Sequence, residues 1–154
     1  MVKIKNTLKS ALMPAAAFGT LLFATNCKDK TPVVSKDDLL AGDWKVTEVN
    51  GQSYETQAYA NYITLWKFAK TGDFNYCYEN TKYTAYNGCY PAKWKWTDVD
   101  KTNINVDFAP ITYVFDFKVD ILDGDNLTGT KTYSYDYYGQ TYTYTDVLKF
   151  IKIK

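Results

Sequence analysis

One stretch near the start of the chain decides the fold: Leu39–Gly51, with the sequence LLAGDWKVTEVNG. Between residues 43 and 49 the side chains alternate, which is the period of a strand with one covered face. One face carries Trp44, Val46 and Glu48, and the other carries Lys45, Thr47 and Val49. The Asn50-Gly51 pair tolerates positive φ and indicates a turn. The stretch therefore predicts the first strand of a β-rich domain.

Seven further strands are predicted after it, joined mostly by short turns. Their bounds are 61–69, 74–79, 90–97, 103–108, 111–122, 127–135 and 141–153, while residues 52–59 look irregular. Short connections make neighbouring strands antiparallel. The sequence thus predicts an all-β fold, an eight-stranded antiparallel up-and-down β-barrel, because closing the sheet removes its exposed edges. An open sandwich of two sheets is the alternative.

The first 26 residues have the order of a secretory signal peptide. A positively charged start is followed by the apolar, uncharged run 11–24 and then by Cys27. Cys27 at this place resembles the lipidated cysteine of bacterial lipoproteins, which carries acyl chains such as palmitate. The resemblance implies a signal peptide over 1–26, a lipidated Cys27 with a tether over 27–40, and a domain over 41–154.

The Gly42-Asp43-Trp44 motif, placed just before eight strands, resembles the first motif of the lipocalin and calycin barrels. In that family the Trp packs across the closed end of the barrel, beneath an Arg of the last strand. The resemblance implies this barrel-closing role for Trp44, with Lys149 or Lys152 as its cationic partner, since the chain has no Arg. Residues 37–40 are either a short helical turn at that closed end or plain linker. The chain is similar to the divergent lipocalin-like domains of bacterial lipoproteins.

Aromatic residues supply 18% of the chain, with 15 Tyr and 4 Trp. If their strand faces point inward, they line a cavity for an apolar or ring-bearing ligand. The candidate ligand-binding residues are Trp66, Phe68, Tyr76, Trp94, Trp96, Phe115, Phe117, Tyr133 and Tyr135, beside Phe74. Alternatively, the same rings fill the interior, and the protein is a surface interaction or structural module. A third hypothesis is carbohydrate capture by exposed tyrosines around the third loop, namely Tyr78, Tyr83, Tyr86 and Tyr90.

The charged composition argues against several classes of function. A net charge of +1 argues against a nucleic-acid binder, which would usually be strongly basic. The chain has no His, which removes the usual general base and the commonest transition-metal ligand. The acidic run 123–126 is interpreted as a hairpin turn, because it lacks the spacing of a calcium loop. We therefore expect no enzymatic activity, no catalytic residues, no bound metal and no cofactor.

Two cysteines remain for the domain once Cys27 is lipidated. Cys77 and Cys89 fall on corresponding faces of neighbouring strands, so we expect a disulfide between them in an oxidising compartment. The expected location is the cell envelope, with a lipid anchor in the outer membrane, because Lys28 rather than an acidic residue follows Cys27. Whether the barrel faces the periplasm or the cell surface stays open.

Overall fold

A computed structural model describes residues 33–56 and 61–154. The signal peptide expected over 1–26 and the expected lipid on Cys27 lie outside these residues. In the described part of the chain, one short helix precedes nine strands. The helix α1 spans Lys36–Leu40, and the strands are β1 (Gly42–Val49), β2 (Gln52–Ser53), β3 (Tyr62–Phe68), β4 (Asp73–Asn80), β5 (Gly88–Trp96), β6 (Asn103–Asp107), β7 (Val114–Leu122), β8 (Asn126–Tyr137) and β9 (Gln140–Ile153). No helix among these residues is both long and apolar enough to cross a membrane.

The strands form one antiparallel sheet that closes into a barrel. From β3 to β9 each strand pairs with the next along the chain, and β1 pairs with both β3 and β9. This closure confirms the predicted eight-stranded antiparallel up-and-down barrel and removes the open sandwich. The extra strand β2 pairs with the end of β1 through Glu48↔Ser53 and Val49↔Gln52. Two residues are too short for an alternation, so the sequence pattern does not predict β2.

One expectation about β1 is wrong, because Glu48 lies outside the barrel and Val49 lies inside. The pairing with β9 shifts between Val46 and Glu48, which is a β-bulge that adds one unpaired residue to β1. Beyond the bulge, Glu48 forms an ion pair with Lys149 at 2.6 Å. Val49 packs against the hydrophobic core. The bulge therefore reverses the alternation that the sequence continues through residue 49.

The helix α1 closes one end of the barrel, which we call the lower end. Leu40 is fully buried, and its carbonyl accepts a hydrogen bond of 2.7 Å from the Trp44 indole N–H. Lys152 lies over the same indole, with Nζ 5.0 Å from the ring centroid, and donates to the Leu39 carbonyl at 2.8 Å. The helical interpretation of this segment, rather than plain linker, is confirmed.

Gly42 is needed where Lys152 crosses the start of β1. Its φ of 131° lies in a region that residues with a Cβ rarely adopt. A Cβ at this position would also lie 2.7 Å from Lys152 Cε. The Gly-x-Trp opening thus has a local physical reason, since the glycine leaves space for the lysine that covers Trp44.

The lower half of the barrel is filled with aromatic and aliphatic side chains. Trp66 packs against Phe117 and Phe150, with ring centroids 5.1 and 4.8 Å apart. Phe68 contacts Trp94 at 5.6 Å. Further buried residues complete this part of the core: Phe74, Ala92, Ile104, Val106 and Leu127. Interiors packed in this way leave no room for a ligand, so space for one lies in the upper half.

Cys77 on β4 and Cys89 on β5 oppose each other on the outer side of the barrel wall. They form a directly opposed pair in the antiparallel ladder. Their sulfur atoms are 2.07 Å apart, which is the distance of a disulfide bond. The predicted cysteine pair is confirmed. The bridge holds together the two strands that flank the loop 81–87.

Candidate functional site

Two adjoining cavities occupy the upper half of the barrel. The first has a volume of about 250 Å³ and is lined by Trp66, Tyr76, Tyr90, Phe108, Ile111, Tyr113, Phe115 and Lys131. The second has a volume of about 290 Å³ and is lined by Val46, Val49, Tyr54, Thr64, Trp66, Tyr76, Lys131, Asp146 and Leu148. Three residues, Trp66, Tyr76 and Lys131, border both cavities. They mark the centre of the candidate site.

Trp66 stands where the packed lower half meets the cavities. Its side chain is 1% exposed, and its ring rests on the phenylalanines of the core. The indole N–H groups of Trp44, Trp94 and Trp96 each donate to an oxygen acceptor. Within residues 33–56 and 61–154, the indole N–H of Trp66 has no such acceptor. Its nitrogen atom is not completely buried. This donor is therefore available to a molecule in the cavities.

Lys131 on β8 is the cationic residue of the site. It pairs across the ladder with Asp146 on β9. Its Nζ lies 4.6 Å from the ring centroid of Tyr133 and 5.7 Å from that of Phe115. No described residue forms a hydrogen bond or an ion pair with this ammonium group. Burial lowers the pKa of Lys131 below its usual 10.5, and the charge of Asp146 opposes that shift.

The second cavity has a more polar wall than the first. The Tyr54 and Thr64 hydroxyl groups are hydrogen-bonded at 2.7 Å. Asp146 accepts a hydrogen bond of 3.0 Å from the Asn50 side-chain amide. The Asn50 side-chain oxygen in turn accepts from the Val147 backbone N–H at 2.8 Å. The carboxylate is thus held on the β1–β9 side of the site, next to the turn after β1.

Tyrosines surround the upper opening of the barrel. Tyr113 contacts Tyr133 with ring centroids 6.0 Å apart, and burial raises the pKa of Tyr113 to about 12. Tyr133 stacks on Tyr144 at 5.4 Å. Tyr135 stacks on Tyr144 and Tyr142 at 5.6 and 5.7 Å. These four stacked rings on the inner face of β8 and β9, Tyr133, Tyr135, Tyr142 and Tyr144, form what we call the tyrosine ladder.

The tyrosine ladder continues onto a projecting hairpin. The pairing of β7 with β8 ends at Tyr133, and the pairing of β1 with β9 reaches only Leu148. Beyond these points β8 and β9 pair with each other alone, as far as Tyr137↔Gln140. The hairpin is exposed to solvent along this length. It extends one wall of the barrel past the opening.

The candidate residues from the sequence lie at different heights in the barrel. Trp66, Tyr76 and Phe115 border the first cavity. The packed lower half contains Phe68, Trp94 and Phe117, none of which lines either cavity. Trp96 lies at the lower end, where its indole N–H donates to the Asp37 carboxylate of α1 at 2.7 Å. Tyr133 and Tyr135 belong to the tyrosine ladder.

Of the tyrosines expected around the third loop, the structure describes the side chains of Tyr78, Tyr83 and Tyr90. Tyr78 and Tyr90 meet at the barrel opening, with ring centroids 5.8 Å apart, and Tyr90 borders the first cavity. Tyr83 is exposed beneath the Lys82 ammonium, which lies 5.2 Å from its ring centroid. The position of the Tyr86 side chain lies outside what the structure describes.

Lys131 is the site residue that sequence reasoning missed. It is in phase with Leu127 and Tyr133 on β8, and this phase is the signal that places it inside the barrel. Charged residues are ordinarily assigned to the surface, so the alternation alone did not single it out.

The carboxylates of Asp123 and Asp125, in the acidic turn after β7, are bound by groups of the protein itself, and Asp125 forms an ion pair with Lys154 at 3.1 Å. Asp123 accepts from the backbone N–H groups of Asp125 and Asn126 at 2.9 and 2.7 Å. In the described ranges, no group of three or more Cys, Asp or Glu side chains is arranged to hold a metal ion. The two upper cavities therefore remain the best-defined candidate site.

Compared with known proteins, the chain matches no family model and has no significantly similar curated relative. The structure itself is a closed eight-stranded antiparallel barrel and is compatible with a lipocalin-like fold.

Proposed function

We propose that this protein binds a small hydrophobic or aromatic molecule in the upper half of its barrel. The observation that carries the proposal is the pair of cavities that meet at Trp66, Tyr76 and Lys131 above a packed lower half. Their aromatic walls suit an apolar ring, and the tyrosine hydroxyl groups supply orienting hydrogen bonds. No catalytic step is part of the proposal.

The size of the cavities favours a compact ligand. Each is slightly smaller than ~300 Å³, the lower end of the range for pockets that hold small molecules. The floor formed by Trp66 prevents deeper entry, because the rings below it are in contact with one another. A molecule with one or two fused rings fits this space better than a long acyl chain or a retinoid.

The proposal places the barrel on the cell envelope. The positively charged start, the apolar run 11–24 and Cys27 support a lipid anchor in the outer membrane. The position of Trp44 beneath Lys152 supports a lipocalin-like origin of the barrel, since that family closes one end with a Trp beneath a cation. The ligand would then be captured next to a membrane surface.

A titration with chemically distinct probes tests the proposed function. Isothermal calorimetry of the full chain would compare indole and naphthalene with retinol, palmitate and glucose. We expect saturable binding of the two small aromatics, and weaker or no binding of the others. Failure of both indole and naphthalene to bind would contradict the proposal.

Two isoleucines provide a matched pair of variants for this titration. Ile111 is 58% exposed and borders the first cavity, whereas Ile121 is 53% exposed on β7 and lines neither cavity. Ile111→Asp should weaken indole binding several-fold, because it places a charge at the edge of an apolar cavity. Ile121→Asp should bind indole as the wild type does. Equal effects of both variants would remove the first cavity from the proposal.

The second candidate is an interaction module that works through the projecting hairpin. The observation in its favour is the exposure of Tyr135, Tyr137 and Tyr138 at 46, 57 and 90%. Exposed aromatic groups of this kind are enriched at protein interfaces. The titration separates the two candidates, because an interaction module with a filled barrel binds none of the small aromatic probes.

A further inference from the structure

We propose that the ligand is a small aromatic carboxylate, held with its acid group on Lys131 and its ring in the first cavity. This inference rests on the proposed function and names the class of ligand. Its basis is an interior cation without an ion-pair partner and an indole N–H without an acceptor, on two residues that border the same cavities.

The first step concerns charge. Lys131 is the one residue lining the first cavity that carries a formal charge; the other seven are aromatic or aliphatic. An ammonium group removed from water is costly unless an anion or hydrogen-bond acceptors compensate it. The aromatic rings of Tyr133 and Phe115 give partial compensation through cation–π contacts. They leave the N–H donors of Lys131 available for a carboxylate.

The second step concerns Asp146, the nearest candidate for an internal partner. It stands opposite Lys131 in the ladder, yet the two side chains form no ion pair. Its carboxylate instead accepts from Asn50 at 3.0 Å and borders the second cavity. An anion in the second cavity would meet this like charge. The first cavity, which Asp146 does not border, is therefore the place for an anionic ligand.

The third step concerns the second donor. Trp66 borders the same two cavities as Lys131, and its indole N–H has no acceptor among the described residues. A carboxylate has two oxygens, which can accept from two separate donors at once. An ammonium and an indole N–H that border the same cavity from β8 and β3 are complementary to such a group. A cationic ligand would be repelled, and a purely apolar one would leave both donors unpaired.

Two probes with the same rings test this assignment. Naphthalene-2-carboxylate carries the anion, and naphthalene-2-carboxamide is its neutral counterpart of nearly the same shape. Calorimetry of the full chain at pH 7 should give about tenfold or more tighter binding of the acid, as expected for hydrogen bonds to a charged group. Equal affinity of the acid and the amide would overturn the inference while leaving the proposed function intact. Binding of neither probe would overturn both.

Variants at Lys131 identify the residue responsible. Lys131→Met should weaken binding of the acid about tenfold and binding of the amide much less, because it keeps the apolar stem and removes the charge, and the amide has no charge to pair with it. Lys118→Met is the matched control, since Lys118 lies on the outer face of the neighbouring strand β7 and is well exposed. It removes the same net charge and should alter neither affinity. An equal loss in both lysine variants would show a general charge effect and contradict the assignment.

A variant at Trp66 tests the second donor and does not depend on Lys131. Trp66→Phe keeps an aromatic ring and removes the N–H. It should weaken binding of the acid by about fivefold. The variant should still bind the acid more tightly than the amide, but by a smaller factor than the wild type does. If binding of the acid is unchanged, Trp66 does not hold the carboxylate.

Discussion

At the scale of single residues, Lys131 stands out because its charge lies inside the barrel, where we expect it to reduce the stability of the ligand-free protein. Its ammonium group is largely buried between the rings of Tyr133 and Phe115, without an ion pair. Replacing a buried charge by an apolar side chain of similar volume is often stabilising. A residue that lowers stability at a cavity wall is best explained by binding, since functional sites commonly trade stability for activity.

This reasoning predicts that Lys131→Met is more stable than the wild type at pH 7, by about 1 kcal/mol. Burial lowers the pKa of Lys131 in the folded state, so the unfolded chain binds the proton more readily between that pKa and 10.5. The stability of the wild type therefore rises with pH through this window. The advantage of the variant should shrink from pH 7 towards pH 10. Burial raises the pKa of Tyr113 to about 12, so it remains neutral there, and burial also raises the pKa of Tyr133 above its usual 10.

Urea denaturation at both pH values measures the effect. Lys118→Met serves again as the control, and its stability relative to the wild type should change little over the same pH range. A Lys131→Met variant that is less stable than the wild type at pH 7 would contradict the account of Lys131 as an interior charge without an ion-pair partner.

At the scale of elements, β8 carries the interior charge of Lys131 and still pairs with both of its neighbours, β7 and β9. Gly129 precedes Lys131 on the same face, where β8 passes closely over β7. A Cβ on Gly129 would overlap the Lys118 carbonyl oxygen and lie 2.5 Å from Phe117 Cζ. The close approach therefore depends on the missing side chain.

We predict that Gly129→Ala destabilises the fold by about 3 kcal/mol, because overpacking of this kind forces neighbouring backbone and rings to move. Gly124→Ala is the matched control, since a Cβ there meets nothing within 4 Å. Its stability should stay within about 0.5 kcal/mol of the wild type, as for other surface substitutions. Thermal unfolding of the two variants measures the difference, and equal melting temperatures would contradict the close packing of β8 on β7.

Much of this level of organisation is contained in the sequence. Alternation over 103–108 and 111–119 indicates which residues face inward, and short turns fix the antiparallel order. The alternation fails at the end of β7, where a register shift between Val119 and Ile121 leaves Ile121 exposed and Leu122 packed against the core. The cysteine pair follows from the same phase. The bulge in β1 could not be predicted, because no residue type in the strand marks it. Only the pairing of Glu48 with Lys149 shows that the register has shifted.

At the scale of the whole molecule, the barrel is neither empty nor filled. Its lower half is packed beneath Trp66, and its upper half contains the cavities and continues into the tyrosine ladder. Alternation predicts the face of an aromatic residue but not its height in a tilted, staggered barrel. The alternation therefore places Phe68 and Tyr76 alike on the inward face. In the structure, Phe68 is in the core, whereas Tyr76 borders a cavity. Height depends on the register of all eight strands.

The four indole N–H signals in a ¹H–¹⁵N spectrum of the labelled full chain test this division most directly. The indoles of Trp44, Trp94 and Trp96 are hydrogen-bonded in or around the lower half, whereas Trp66 borders the cavities and its indole N–H has no acceptor among the described residues. Unlabelled indole adds no signal of its own and fits a compact cavity. The signal of Trp66 is assigned by its loss in Trp66→Phe. When indole is added, we expect this signal to shift in a saturable way while the other three stay in place. A Trp66 signal that does not move at high indole concentration, or a shift of the three others in its stead, would contradict the account.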